Sequence, residues 1–175
     1  VSTDTGLAVS EKRLVDYGPG QRLRFVQKLG GTTLVQKMVA DNTLFSDPEG
    51  GVWMGTIDSI IGYRWETDGT LRETKHSLNK MTHQKNTAIT SLVLDHERTL
   101  WASLGDADFL RVTADGTTFR FWEGSNPATR ICENIRALLE IKPGQLVAGC
   151  RDGSIRSLQE AESGSIGSSI VLAPT

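Results

Sequence analysis

Apolar and polar residues alternate along this chain in short runs cut by turn residues, and the cuts recur. The clearest stretch reads LFSDPEGGVWMGT at residues 44–56, then IIGYRW at 60–65, a turn at Asp68 and Gly69, and TLRET at 70–74. The next has ITSLVL at 89–94, a turn over 95–98, TLWAS at 99–103, FLRV at 109–112, a turn at Asp115 and Gly116, and TTFRF at 117–121. A third has NIRALLEI at 134–141, a turn at Lys142, Pro143 and Gly144, QLVAG at 145–149 and SIRSL at 154–158. Upstream, GLAVS at 6–10, RLV at 13–15, a turn at Gly18, Pro19 and Gly20, and QRLRF at 21–25 form a copy without its opening strand. Short runs of Val, Ile, Leu, Thr, Phe or Trp bounded by Gly, Asp, Asn or Pro predict strands, and no long pattern of helical period competes with them.

The spacing says how those strands are grouped. Trp53 and Trp101 stand 48 residues apart, and Val147 follows Trp101 by 46. A repeat of that length with four short strands predicts an all-β fold, a β-propeller of four-stranded antiparallel blades. Blades are expected over roughly 1–30 (incomplete), 41–75, 88–122 and 133–173 of one domain or segment. Leu92 to Leu94 and Ala137 to Leu139 are continuously apolar, as an innermost strand buried on both faces should be. Trp53 and Trp101 occupy the same place in successive units, which points to packing between blades rather than to ligand platforms. About fifteen strands leave the set one short of four blades, and an isolated blade cannot bury its faces. Two readings follow. In one, SIVLA at 169–173 supplies the missing strand and closes a four-bladed ring; in the favoured one, the chain, which opens in mid-blade without an initiator Met, is part of a larger propeller. The low-complexity EAESGSIGSS at 160–169 predicts a loop or frayed end.

Charge and cysteine content change the picture only slightly. Nineteen basic residues against twenty-one acidic ones, without a basic stripe, argue against nucleic acid and anionic membrane as partners. No apolar run approaches the ~18 residues of a membrane helix, so no membrane insertion of this segment is expected. If residues 135–139 and 145–149 pair about the Lys142–Gly144 turn, Cys132 and Cys150 fall across from each other at the open end of the hairpin. A disulfide and two free thiols are both open on that geometry.

Three resemblances bear on function. DPEGGVWMGT at 47–56 resembles the two-component regulator propeller repeat: an Asp, a turn Gly, then Trp between apolar residues, Gly and Thr. ITSLVLD at 89–95 with TLW at 99–101, and IRALLE at 135–140 with QLVAG at 145–149 and RDG at 151–153, repeat it more loosely. Ala102 and Ser103 depart from the pattern, and Val147 stands where it has Trp. The resemblance implies the extracytoplasmic or periplasmic sensory part of a bacterial signalling protein, which recognises a small polar, often carbohydrate-derived ligand and does no chemistry. Residues 42–58 also resemble the gluconolactonase and regucalcin-like family. That likeness implies a hydrolase with calcium or zinc and places Asn42 and Asn86 near matching positions. LVAGCRDGSIRSL at 146–158 looks like half of a WD repeat without its Trp-Asp ending, which implies a protein-interaction scaffold.

No catalytic constellation stands out. His76, His83 and His96 lack metal-ligand spacing, and no Ser has a nucleophile-elbow context. No resident cofactor is expected outside the lactonase alternative. In a propeller the loops between second and third strands and between blades crowd one rim. Those loops bring Asp58, Asp106, Asp108, Arg130, Arg151 and Asp152 together as candidate ligand-binding residues, with His76, Lys80 and His83 beside them. Arg130 and Arg151 are the anchors, because a planar guanidinium holds a carboxylate through two bonds. The expected partner is such a ligand or a protein; the rest of a larger propeller or a second copy is the further expectation.

Overall fold

The computed structural model describes residues 2–3, 6–10, 25–29, 44–82, 88–105, 107–126 and 130–173. Asn42, His83, Asn86 and Asp106 lie outside the described residues, as does the strand expected at 13–15. The chain divides into two compact units, residues 1–38 and 39–175. In the first, β1 (Ser2–Thr3), β2 (Gly6–Ser10) and β3 (Phe25–Leu29) form an antiparallel sheet in chain order, with Leu7 opposite Leu29.

The second unit holds three four-stranded antiparallel meanders. The first contains β4 (Leu44–Asp47), β5 (Gly51–Gly55), β6 (Ser59–Trp65) and β7 (Leu71–Ser77). The second contains β8 (Ile89–Leu94), β9 (Thr99–Leu104), β10 (Asp108–Thr113) and β11 (Phe119–Trp122). The third contains β12 (Ile135–Lys142), β13 (Gln145–Cys150), β14 (Ile155–Glu160) and β15 (Ile166–Leu172). One short helix, α1 (Leu78–Thr82), follows the first blade and buries Leu78, Met81 and Thr82. Consecutive antiparallel blades packed face to face are the architecture of a propeller.

Side-chain alternation builds the two seams between blades. Successive strand residues point to opposite faces, so the second blade sends Leu92, Leu94, Leu100, Ala102 and Leu110 toward Trp53 and Ile60 of the first. It sends Val93, Trp101, Phe109 and Trp122 toward Leu138, Leu146, Ala148, Leu158 and Ile166 of the third. Trp53 and Trp101 are both buried in these seams. The two indoles of the second seam, Trp101 and Trp122, stack with centroids 6.3 Å apart. Gly55 is a point of contact in the first seam: a Cβ there would stand 2.6 Å from Cγ2 of Ile89, which is fully buried. Gly55→Ala should therefore cost about 1–3 kcal/mol by overpacking, read as a lower urea midpoint; an unchanged midpoint would mean the blades slide apart freely.

Polar groups tie the seams at their edges. Residues 47–50 and 95–98 make equivalent turns, closed by Gly50 N–H to the Asp47 carbonyl at 3.0 Å and Arg98 N–H to the Asp95 carbonyl at 3.1 Å. Gly50 has φ +94°, and Arg98 occupies the corresponding place with φ +65°, a region that L side chains avoid. The Arg98 guanidinium crosses to the first blade, donating from Nη1 to Asp47 Oδ1 at 2.6 Å and from Nη2 to Oδ2 at 2.8 Å. Asp47 also accepts from Trp53 Nε1 at 3.3 Å, and Asp95 from Trp101 Nε1 at 2.7 Å. In the second seam, Glu140 accepts the His96 amide at 2.8 Å and meets its Nδ1 at 2.6 Å, while Trp122 Nε1 donates to the Gly164 carbonyl.

Three expectations are corrected. Residues 160–169 are not a frayed end: a turn at 161–164, closed by Gly164 N–H to the Ala161 carbonyl at 2.7 Å, feeds a full strand. Its serines belong there because the backbone ladder to β14, with Ser157 opposite Ser169, does not depend on apolar side chains. Residues 169–172 of SIVLA are consequently spent as the outer strand of the third blade rather than as a first strand that closes a ring. Finally, β12 is not buried on both faces, since Leu138 is covered and Leu139 is exposed.

Candidate functional site

The loops at one end of the third blade frame an open cavity of about 590 Å³, lined by Arg130, Ile131, Cys132, Glu133, Arg151, Asp152 and Arg156. Two segments build it: the connection leading into β12, and the turn from β13 to β14. The turn is closed by Gly153 N–H to the Cys150 carbonyl and by Cys150 N–H to the Ser154 carbonyl, with Gly153 at φ +85°. Asp152 Oδ1 accepts from the Ser154 amide at 2.9 Å and its hydroxyl at 2.7 Å. Those bonds, the hydroxyl first, together with the nearby Arg156 charge hold the Asp152 carboxyl below its ordinary pKa. Arg156 Nε in turn donates to Ser154 Oγ at 3.4 Å. Asp152 and Arg156 are thus set by one buried hydroxyl.

The other wall is positioned by backbone contacts and by a covalent link. Arg130 Nε donates to the Gly124 carbonyl at 2.7 Å, which fixes the plane of its guanidinium, and its Nη1 lies 3.6 Å from Glu133 Oε1. The Arg151 amide donates to the Asn134 carbonyl at 3.0 Å, joining the two segments. Cys132 and Cys150 form a disulfide with Cα atoms 6.3 Å apart, both largely buried, which settles the choice left open by the sequence. It joins Arg130–Glu133 directly to Arg151–Asp152.

The structure therefore brings Arg130, Arg151 and Asp152 to one cavity and leaves other candidates elsewhere. Asp58 turns back on its own loop, accepting from Thr56 Oγ1 at 3.0 Å and Ser59 Oγ at 2.8 Å. Asp108 accepts the Gly124 amide at 2.8 Å and so braces the connection after the second blade. His76 is a seam residue: it stacks on Trp53 with centroids 5.7 Å apart, and its Nε2–H donates to the Ala114 carbonyl at 3.0 Å. Lys80 is exposed on α1 and does not line the cavity. Glu133 and Arg156 escaped the sequence reading. Arg156 follows the buried Ser154 by two residues in an alternating strand, a spacing that aims it back toward the turn.

Chemically, the site offers three guanidinium groups and two carboxylates around a volume suited to a small molecule. Guanidiniums bind carboxylates and phosphates through paired N–H donors, and the acidic groups accept from hydroxyls. Among the described residues no group of three or more His, Cys, Asp or Glu is placed to hold a metal ion.

Comparison with known proteins defines the fold and stops there. No family model and no curated protein matches the chain. Among solved structures it is similar to virginiamycin B lyase from Staphylococcus aureus, at 16% identity and TM-score 0.50 over 71% of this chain and 39% of that one. It is also similar to PorZ, a surface component of the type-IX secretion system of Porphyromonas gingivalis, at 17% identity and TM-score 0.50 over 70% of this chain and 19% of that one. The chain spans well under half the length of either. At such identities the likeness is one of fold, and the fold is the β-propeller.

Proposed function

We propose that the chain is a non-catalytic recognition module, the sensor-type propeller of a bacterial signalling protein, which binds a small polar ligand bearing an acidic group. The observation that carries the reading is the convergence of Arg130, Arg151 and Arg156 with Asp152 in one cavity. An acidic sugar suits it, with a carboxylate between guanidiniums and hydroxyls against Asp152 and Glu133. Binding would shift the populations of two arrangements of a parent assembly. A buried disulfide fits an oxidising, extracytoplasmic setting.

Calorimetric titration with glucuronate, galacturonate and their neutral sugars tests this. Acidic sugars are expected to bind and neutral ones to bind more weakly. Arg151→Ala should weaken binding about ten- to hundredfold, the worth of a charge-assisted hydrogen-bond pair. Equal affinity in wild type and variant would remove the cavity from consideration. Calcium and zinc belong in the same titration, because the lactonase alternative places its ligands at Asn42 and Asn86; tight metal binding would favour that hydrolase.

A further inference from the structure

Of the eight large apolar side chains exposed among the described residues, six belong to the third blade. Four of these lie on the face turned away from the second blade: Leu139 and Ile141 on β12, Ile155 on β14 and Leu172 on β15, with Val147 and Gly149 of β13 between them. Strand register makes this face equivalent to two that are covered. Leu139 stands opposite Val147, as Val93 stands opposite Trp101 and Phe45 opposite Trp53. Val93 is 2% exposed beneath the third blade, whereas Leu139 is 54% exposed.

Glycine contacts tell the same story. A Cβ on Gly55 would run into Ile89, the first residue of the next blade's opening strand. Gly149 holds the equivalent place two residues after Val147, and among the described residues a Cβ there would meet only Ala137 of its own sheet, at 3.7 Å. The third blade thus carries a seat for a branched opening residue that none of the described residues fills. An exposed apolar face of this kind marks an interface.

We propose that this face seats a further blade of the same repeat, carried on the same polypeptide. Within the second unit, the equivalent faces of the first and second blades are each covered by the next blade in sequence. The occupant is a four-stranded sheet that sets a branched residue over Gly149 and rows of Leu and Ala over Leu139, Val147 and Ile155, as β8 to β10 do for the first blade. A blade is favoured over a second copy because the seat at Gly149 matches the one at Gly55, which the first residue of the next blade in sequence, Ile89, fills.

Thiol footprinting of the full-length polypeptide in its own host tests the proposal. Cys132 and Cys150 are bonded to each other, so residues 1–175 contribute no free thiol, and labelling is read peptide by peptide by mass spectrometry. Leu139→Cys and, separately, Ile141→Cys are treated with a maleimide beside Ser163→Cys on an exposed turn. The expected result is loss of labelling at 139 and 141 while 163 labels fully, with a thiol-anchored crosslinker joining 139 to a peptide of the same polypeptide outside residues 1–175. Labelling of 139 and 141 at the rate of 163 would overturn the proposal. So would a crosslink to residues 1–43, to a second copy or to a different protein.

Discussion

Reducing the Cys132–Cys150 disulfide, or replacing both residues by Ser, is expected to destabilise the second unit by about 3 kcal/mol, the chain-entropy value for a loop of this length. The bridge closes 18 residues of sequence that include the whole β12–β13 hairpin. It also fastens the Arg130 wall of the cavity to the Arg151 wall, so glucuronate affinity should fall together with stability. Urea unfolding followed by tryptophan fluorescence, with and without a phosphine reductant, reads the first effect, and calorimetry in mild reductant reads the second. Coincident unfolding curves would show that the Arg151–Asn134 backbone bond and the surrounding apolar core hold the segment unaided. A stability loss with unchanged affinity would separate the bridge from the site.

Asp47→Ala is the second large effect, expected at about 3 kcal/mol, the low end for breaking a buried ion pair because Arg98 is about one-third exposed. The substitution orphans the Trp53 indole N–H and strips both Asp47 bonds from the Arg98 guanidinium, leaving it Glu49 Oε2 at 3.3 Å and weakening what holds Arg98 in its left-handed conformation. The double variant Asp47→Ala with Arg98→Gly should therefore be less damaged than the sum of the single changes, since glycine takes that conformation without strain, as Gly50 does in the first blade. Simple additivity would mean that the fork contributes nothing beyond its separate groups.

The same pair sets an acid limit. The Arg98 hydrogen bond, outweighing burial, lowers the Asp47 pKa from 3.8 to about 2. A carboxyl depressed in the folded state contributes stability above its unfolded pKa and loses it as pH falls through the folded one, here about 2 kcal/mol between pH 4 and 2. His76 acts earlier. Burial lowers its pKa from 6.5, so the folded state keeps the ring neutral and stability begins to fall as pH drops below 6.5. Urea midpoints across pH should decline in two stages, and His76→Gln, which can still donate to the Ala114 carbonyl, should flatten only the first.

Much of the blade architecture could be read in the chain because its signals are local. Turn residues such as Pro48, Gly50, Gly69, Gly116 and Gly144 punctuate it, and Leu, Val and Trp alternate between them, so strand positions follow from neighbours in sequence. The polar run 160–169 misled for the same reason, because a strand held mainly by its ladder carries little side-chain signal. The Arg98–Asp47 fork was invisible, since its partners are 51 residues apart and nothing near Arg98 marks a left-handed backbone.

Of the loop residues that the sequence nominated, Arg130, Arg151 and Asp152 line one cavity, because loop position follows from strand order. Only the tertiary structure excluded Asp58 and Asp108 from the cavity, added Glu133 and Arg156, and joined the cysteines, because these outcomes depend on where side chains point once the blades have packed. The repeat by itself determined that each blade needs a neighbour on both faces. Which of those faces is left uncovered was decided in three dimensions, where Val93 lies beneath the third blade and Leu139, its counterpart one blade later, meets solvent.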